Sequence, residues 1–128
     1  PPQSALLFSF YIAPQRARSD WSFISFLAAL AMREVITENL AENITLKWPN
    51  DILIGDKKVA GLLAQQISDG VIVGIGLNVA MGADELPVPT ATSLALAGSK
   101  NLDRNLLLSA FLNRFEIIFK ERFSNVST

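Results

Sequence analysis

Apolar residues fall along this chain in blocks whose spacing shifts from strand-like to helical and back. Leu6 to Ile12 is a run of branched and aromatic residues and predicts a strand. Pro14 to Asp20 is polar and turn-like, with Ser19 or Asp20 placed to cap a helix from Trp21 to about Leu40. Apolar residues at 23, 24, 27, 28, 30, 31 and 35 cover so wide a face that this helix should be largely buried. Ile44 to Trp48 predicts a short strand that Pro49 ends. Ile52 to Ile54 and Lys57 to Ile67 flank Gly55-Asp56, a tight hairpin signal. Asp69-Gly70 marks a second hairpin. It leads into Val71 to Leu77, apolar enough to predict a strand buried on both faces. Met81 to Ala91 is a loop with two prolines, and Thr92 to Ala97 reads as one helical turn. Asp103 is placed to cap a final helix from Arg104 to about Phe123, with apolar residues at 107, 108, 111, 112, 115, 118 and 119. The fold class is α+β: an antiparallel or mixed sheet with helices on one side. No repeat or linker breaks residues 1–128 into smaller units.

Composition narrows the chemistry. Half of the 128 residues are apolar and 18% are charged, so the core is large for the length. Eleven basic residues against twelve acidic give a net charge of −1, which argues against a nucleic-acid binder that works by neutralising phosphates. Without cysteine there are no disulfides and no thiolate metal sites. Without histidine the commonest general base and zinc ligand are gone. Any catalysis must use Lys, Asp, Glu, Asn, Arg or the main chain. The longest apolar stretch, around Phe23 to Met32, is far shorter than a membrane span, and no signal-peptide pattern is present. A soluble, cytoplasmic protein with no membrane partner is the expectation. The first residue is Pro, which suggests processing or a piece of a longer protein.

The candidate residues cluster in two runs, Lys47-Trp48-Pro49-Asn50-Asp51 and Lys57-Lys58-Val59-Ala60-Gly61-Leu62-Leu63. Lys58 opens a strand of small and apolar residues, where it either snorkels to water or works in a pocket. Lys57 is the better placed of the pair to be a solvated hairpin lysine. Gly61 lies inside the strand, which fits either a bulge or close approach of a ligand to the backbone. Alternation puts Lys58 and Gly61 on opposite faces unless a twist or bulge intervenes. Asn50-Asp51 is a turn, or a corner that handles phosphate and Mg²⁺ with Lys47 nearby. Gly74-Ile75-Gly76-Leu77-Asn78 clears space above a strand end. Asn78 there is either a turn residue or a reader of an adenine edge. Trp21 and Trp48 read as core residues, Arg16-Ala17-Arg18 as a solvated loop, and Glu34, Glu38 and Glu42 as helix surface and linker.

Taken with Leu6-Leu7-Phe8-Ser9-Phe10, Trp21-Ser22 and Ala91-Thr92-Ser93-Leu94, these runs resemble the catalytic domain of biotin–protein ligases over roughly residues 1–123. The resemblance implies a class II aminoacyl-tRNA synthetase-like fold. It implies a two-step reaction: biotin and ATP give biotinyl-5′-AMP, and the biotinyl group then passes to a lysine of a biotin carboxyl-carrier protein. Lys58 and Asp51 would be catalytic. Lys58, Gly61 and Leu63 would line the biotin site. Lys47, Asn50, Asp51 and Asn78 would face the nucleotide, and Asp51 would hold Mg²⁺. A lipoate–protein ligase, or a non-catalytic module for dimerisation or regulation, are the alternative readings. Relatives carry a Gly/Arg-rich loop ahead of the strand at Leu6 and a small β-barrel after the last helix. The chain therefore reads as a catalytic-domain fragment, impaired on its own and prone to self-association as a homodimer.

Overall fold

The computed structural model describes residues 4–14, 21–86 and 88–124, with side chains to 122. Ser19, Asp20 and the Arg16-Ala17-Arg18 loop lie outside the described residues. Five strands form one antiparallel sheet: β1 (Ala5–Ile12), β2 (Ile44–Lys47), β3 (Asp51–Ile54), β4 (Lys57–Ile67) and β5 (Gly70–Asn78). Their order is β1-β5-β4-β3-β2, so β2 to β5 form the expected meander and β1 closes one side of it. Gly55 turns the β3–β4 hairpin with φ +62°, a conformation that costs glycine little. The second hairpin closes at Ile67 and Gly70, so Ser68-Asp69 form its turn.

Two helices cover one face. α1 (Phe23–Thr37) starts two residues later and ends three earlier than the apolar spacing predicts. Ser22 stands at its N-cap without a side-chain cap bond. Eight of its residues are buried, from Ile24 to Ile36, because the helix is wedged between the sheet and its neighbour. That neighbour, α2 (Arg104–Phe119), begins as expected: the Asp103 carboxylate accepts from the main-chain N–H of Asn105 at 2.9 Å and of Leu106 at 3.1 Å. It gives way to a wider π-type turn, Lys120–Ser124, instead of continuing as α-helix. The Phe111 ring sits 5.3 Å from that of Phe8, and Phe115 sits 5.0 Å from Phe10, which fastens α2 beneath β1. Arg114 ties the two helices at the surface, reaching Glu34 at 3.3 Å and Glu38 at 2.9 Å.

Two expectations are corrected. β5 is buried on one face only: Val71, Val73, Ile75 and Leu77 meet the helices, while Ile72 is exposed and Gly74 and Gly76 face an open groove. Trp21 is buried, but Trp48 is 73% exposed at the tip of the β2–β3 hairpin, with Phe26 at 6.5 Å. For β5 the cause is the layering of the sheet. One sheet face has helices on it and the other does not, so apolar residues on the second face have no cover among the described residues. No helix among the described residues is long and apolar enough to cross a membrane.

Candidate active site

The groove on the uncovered face has a volume of about 640 Å³. Its floor is the glycine row of Gly61, Gly74 and Gly76, where the missing side chains leave the main chain bare. Leu7 and Ser9 of β1 form one wall. Leu63 stands on the floor, and Asn50, Asp51 and Lys58 form the opposite wall.

Lys58 reaches this groove through a break in the sheet. Asp51 pairs with Gly61 and Ile52 with Ala60, but Leu53 pairs with Lys58, which leaves Val59 as an extra residue in β4. Such a bulge reverses the alternation beyond it. Lys58 and Gly61 are three apart, yet both line the groove, while Val59 and Leu62 go to the core. The twist or bulge needed to bring them to one face is therefore present. The lysine lies close over the glycine: a Cβ at Gly61 would stand 3.2 Å from both Cε and Nζ of Lys58. Nζ also meets Asp51 Oδ1 at 3.2 Å. The lysine side chain is half-exposed at 49%, so it is less buried than the apolar strand around it suggested.

The turn before β3 is pinned from behind, since Leu62 N–H donates to the Asn50 carbonyl at 2.7 Å. Asn50 and Asp51 are thus held at the groove wall by their main chain. Lys47 pairs with Asp51 in the hairpin register, but it is exposed and is not among the groove-lining residues.

A second cavity of about 390 Å³ adjoins the first. Asn78, Met81, Val88 and Ala91 line it. Leu7, Lys58, Gly61 and Gly76 line both cavities. Lys58 therefore stands where two differently lined spaces meet. The segment Ala91-Thr92 lies extended beside it: Lys58 N–H donates to the Thr90 carbonyl and Thr92 N–H to the Lys58 carbonyl, each at 2.8 Å. The turn expected at Thr92–Ala97 begins one residue later, where Ala97 N–H donates to the Ser93 carbonyl at 3.1 Å. Among the described residues no group of three acidic side chains forms a metal cluster, and Asp51 is the one carboxylate among the residues that line the groove.

A family model for the Biotin/lipoate A/B protein ligase family matches residues 1–81. The chain belongs to that family. Its curated relatives include a biotin–[acetyl-CoA-carboxylase] ligase of Mycobacterium tuberculosis, 37% identical over 99 residues that make up 75% of this chain and 37% of the relative. Another is the bifunctional ligase/repressor BirA of Bacillus subtilis, 34% identical over 106 residues, 77% of this chain and 33% of that protein. The chain thus spans about a third of the length of these relatives. Among solved structures, the biotin protein ligase from Aquifex aeolicus superposes with a TM-score of 0.80 at 33% identity, over 93% of this chain and 55% of that one. A further structure of the Aquifex aeolicus enzyme is a complex with biotin and ATP.

Within this member of the family, five of the residues singled out from sequence meet in one groove: Asn50, Asp51, Lys58, Gly61 and Leu63. Asn78 lies in the adjoining cavity and Lys47 in neither. Sequence reasoning missed the Ala91-Thr92 segment as a partner of Lys58. The segment enters there only through the resemblance, and its local signal is a short run, Thr90-Ala91-Thr92, with β-branched residues at both ends after two prolines.

Proposed function

We propose that the protein carrying this chain is an ATP-dependent biotin–protein ligase. The observation that carries this is the position of Lys58 at the junction of the two cavities. A reaction that condenses two substrates needs a cation where their reacting ends meet. With biotin lying over Gly74 and Leu63, its carboxylate points toward Lys58. With the adenine near Asn78, the phosphates extend toward Lys58, Asn50 and Asp51. A carboxylate oxygen attacks the α-phosphorus, the bond to the β-phosphate oxygen breaks, and pyrophosphate leaves with the bonding pair. The Lys58 ammonium stabilises the negative charge that grows on the α-phosphoryl oxygens. Gly61 leaves room for it to do so.

Mg²⁺ binds through one or two carboxylates together with substrate phosphates, and a lone Asp51 fits that requirement. The ion would supply charge neutralisation at the phosphates, with Asp51 and Asn50 holding it. In the second step an acceptor lysine amine attacks the acyl carbon, AMP leaves and a proton is released. The acceptor on this reading is a biotin carboxyl-carrier domain, the enzyme works as a homodimer, and its location is the cytoplasm, where ATP is available.

The test is to incubate the full-length protein with biotin, Mg-ATP and a carrier domain and to follow the carrier by mass spectrometry. A biotinyl mass shift that excess lipoate does not suppress is expected. Transfer of lipoate alone would replace the reading with that of a lipoate ligase. No acyl-adenylate from either acid would remove the catalytic reading.

A further inference from the structure

Lys58 sits where regular sheet pairing stops. On one side β4 joins β5 only from Ala60 onward, opposite Leu77. On the other, the register to β3 slips at Val59, the residue next to Lys58. Lys58 keeps Leu53 as its partner on the β3 side but has no β5 partner on the other. The segment Thr90–Thr92 takes the place of β5 there, bonding both the N–H and the carbonyl of Lys58 at 2.8 Å each. Lys58 and Ala91 form a parallel bridge there. The location of the ammonium therefore depends on whatever holds this segment in place.

Asn78 holds it at two points. Its side-chain Nδ2 donates to the Thr92 carbonyl at 3.0 Å, and its own carbonyl accepts from Leu94 N–H at 3.0 Å. The Thr92 carbonyl can only accept, so the atom facing it must be the amide nitrogen. Thr92 is 8% exposed, which leaves little water to replace that donor. Asn78 is also the last residue of β5, paired with Ala5 of β1, and so anchors the segment to the sheet. We propose that Asn78 is a positioning residue for Lys58, acting through the Thr92 main chain. This rests on the ligase reading for its functional consequence, but not for the linkage itself.

The test compares Asn78→Ala and Asn78→Asp with the wild type in the full-length protein. Asn78→Asp keeps the shape and an acceptor oxygen but removes the donor to Thr92. Two readouts are taken on protein shown to be folded by its melting curve. The first is amide hydrogen exchange at Lys58 and Thr92. The second is adenylate formation, with kcat and the KM for ATP determined separately. Faster exchange at both amides in both variants is expected, with amides at the centre of β1 unchanged. With it, kcat should fall on the order of 10-fold because the reacting geometry is lost; since the proposed function also puts the adenine near Asn78, a rise in the KM for ATP reports that contact and the fall in kcat reports the linkage. Unchanged exchange at Lys58 would overturn the proposal whatever the activity. A raised KM with unaltered kcat would also overturn it, assigning Asn78 to the adenine alone. A wild type that makes no adenylate would sink the ligase reading, and the exchange data would still decide whether Asn78 positions Lys58.

Discussion

The two faces of the sheet are made from alternate residues of the same strands, yet they differ in almost every physical respect. Toward the helices, Leu6, Ile52, Val59, Leu62, Val73, Ile75 and Leu77 are all buried. Away from them, Leu7 is 78% and Leu63 71% exposed, three glycines carry no side chain, and Lys58 and Asp51 form an ion pair. One face is filled and the other has no cover among the described residues. On the proposed function, stability and chemistry are separated across the thickness of one sheet, and substitutions on the two faces should fail in different ways. Because the side-chain period is two, a slip of one residue exchanges the faces. The Val59 bulge is such a slip confined to one place, and it delivers a charged side chain to the empty side.

The largest effect is expected on the filled face. Phe111 is fully buried and packs against Phe8, Phe10 and Phe115. Phe111→Ala should cost about 3–5 kcal/mol in denaturant unfolding, from lost transfer energy and an unfilled cavity. That is a large share of the roughly 5–15 kcal/mol that holds a domain together. A loss below about 1 kcal/mol would mean that α2 is not a principal source of stability and would blur the contrast between the faces.

On the empty face the pattern should invert. On the proposed function, Lys58→Gln is expected to lower adenylate formation by about 100-fold or more, since that reading gives the ammonium the charge of the transition state to stabilise. Stability should change by less than about 1 kcal/mol, because the partly exposed pair with Asp51 is screened by water. Gly61→Ala is the finer probe. Its Cβ would meet the flexible end of Lys58 at 3.2 Å, and that end can move aside. Stability should stay level or rise by about 0.5 kcal/mol, as alanine loses less backbone entropy than glycine. Adenylate formation should drop on the order of 10-fold because the ammonium is displaced by a few tenths of an ångström. Unfolding of Gly61→Ala, or a rate equal to wild type, would break the separation of roles between the faces.

Much of this layout was legible in the sequence. The hairpin at Gly55-Asp56, the meander and the Asp103 cap are local features, and local chemistry sets them. The limits of α1 were less so, because packing against the sheet and α2 decides where it begins and ends. The β5 error had the same origin: Val71 to Leu77 looks apolar throughout, but glycines at 74 and 76 make the far face empty instead of filled. For the site, residue type and spacing picked out Lys58, Asp51 and Gly61, and alternation showed that a bulge was required. Which residue would be extruded depends on the pairing with β3, a tertiary fact that one strand's sequence does not contain. The hold of Asn78 on Thr92 joins residues 14 apart through a loop, and no periodicity reports such a bond.

The smallest effect belongs to the far end of the empty face and tests whether anything there bears on stability. The Tyr11 hydroxyl donates to Asp69 Oδ1 at 2.9 Å, tying β1 to the β4–β5 turn. The ring lies over Gly70, where a Cβ would come within 2.5 Å of Cε1. The hydrogen bond to the Asp69 carboxylate raises the phenol above its ordinary value, with desolvation and the nearby negative charge adding in the same direction. Folding therefore favours the neutral phenol. The stability this contributes is fully present below the unfolded tyrosine value of about 10, and it is lost as pH rises through the higher folded value. Tyr11 is the only tyrosine of this chain, so its ultraviolet titration is unambiguous. The titration of the folded chain should lie above that of the unfolded chain. The stability advantage of wild type over Tyr11→Phe should be constant near neutral pH and shrink in strong alkali. A folded titration that matches the unfolded one would show that Asp69 does not hold the hydroxyl in solution, and the filled face would then account for the stability without help from this end of the empty one.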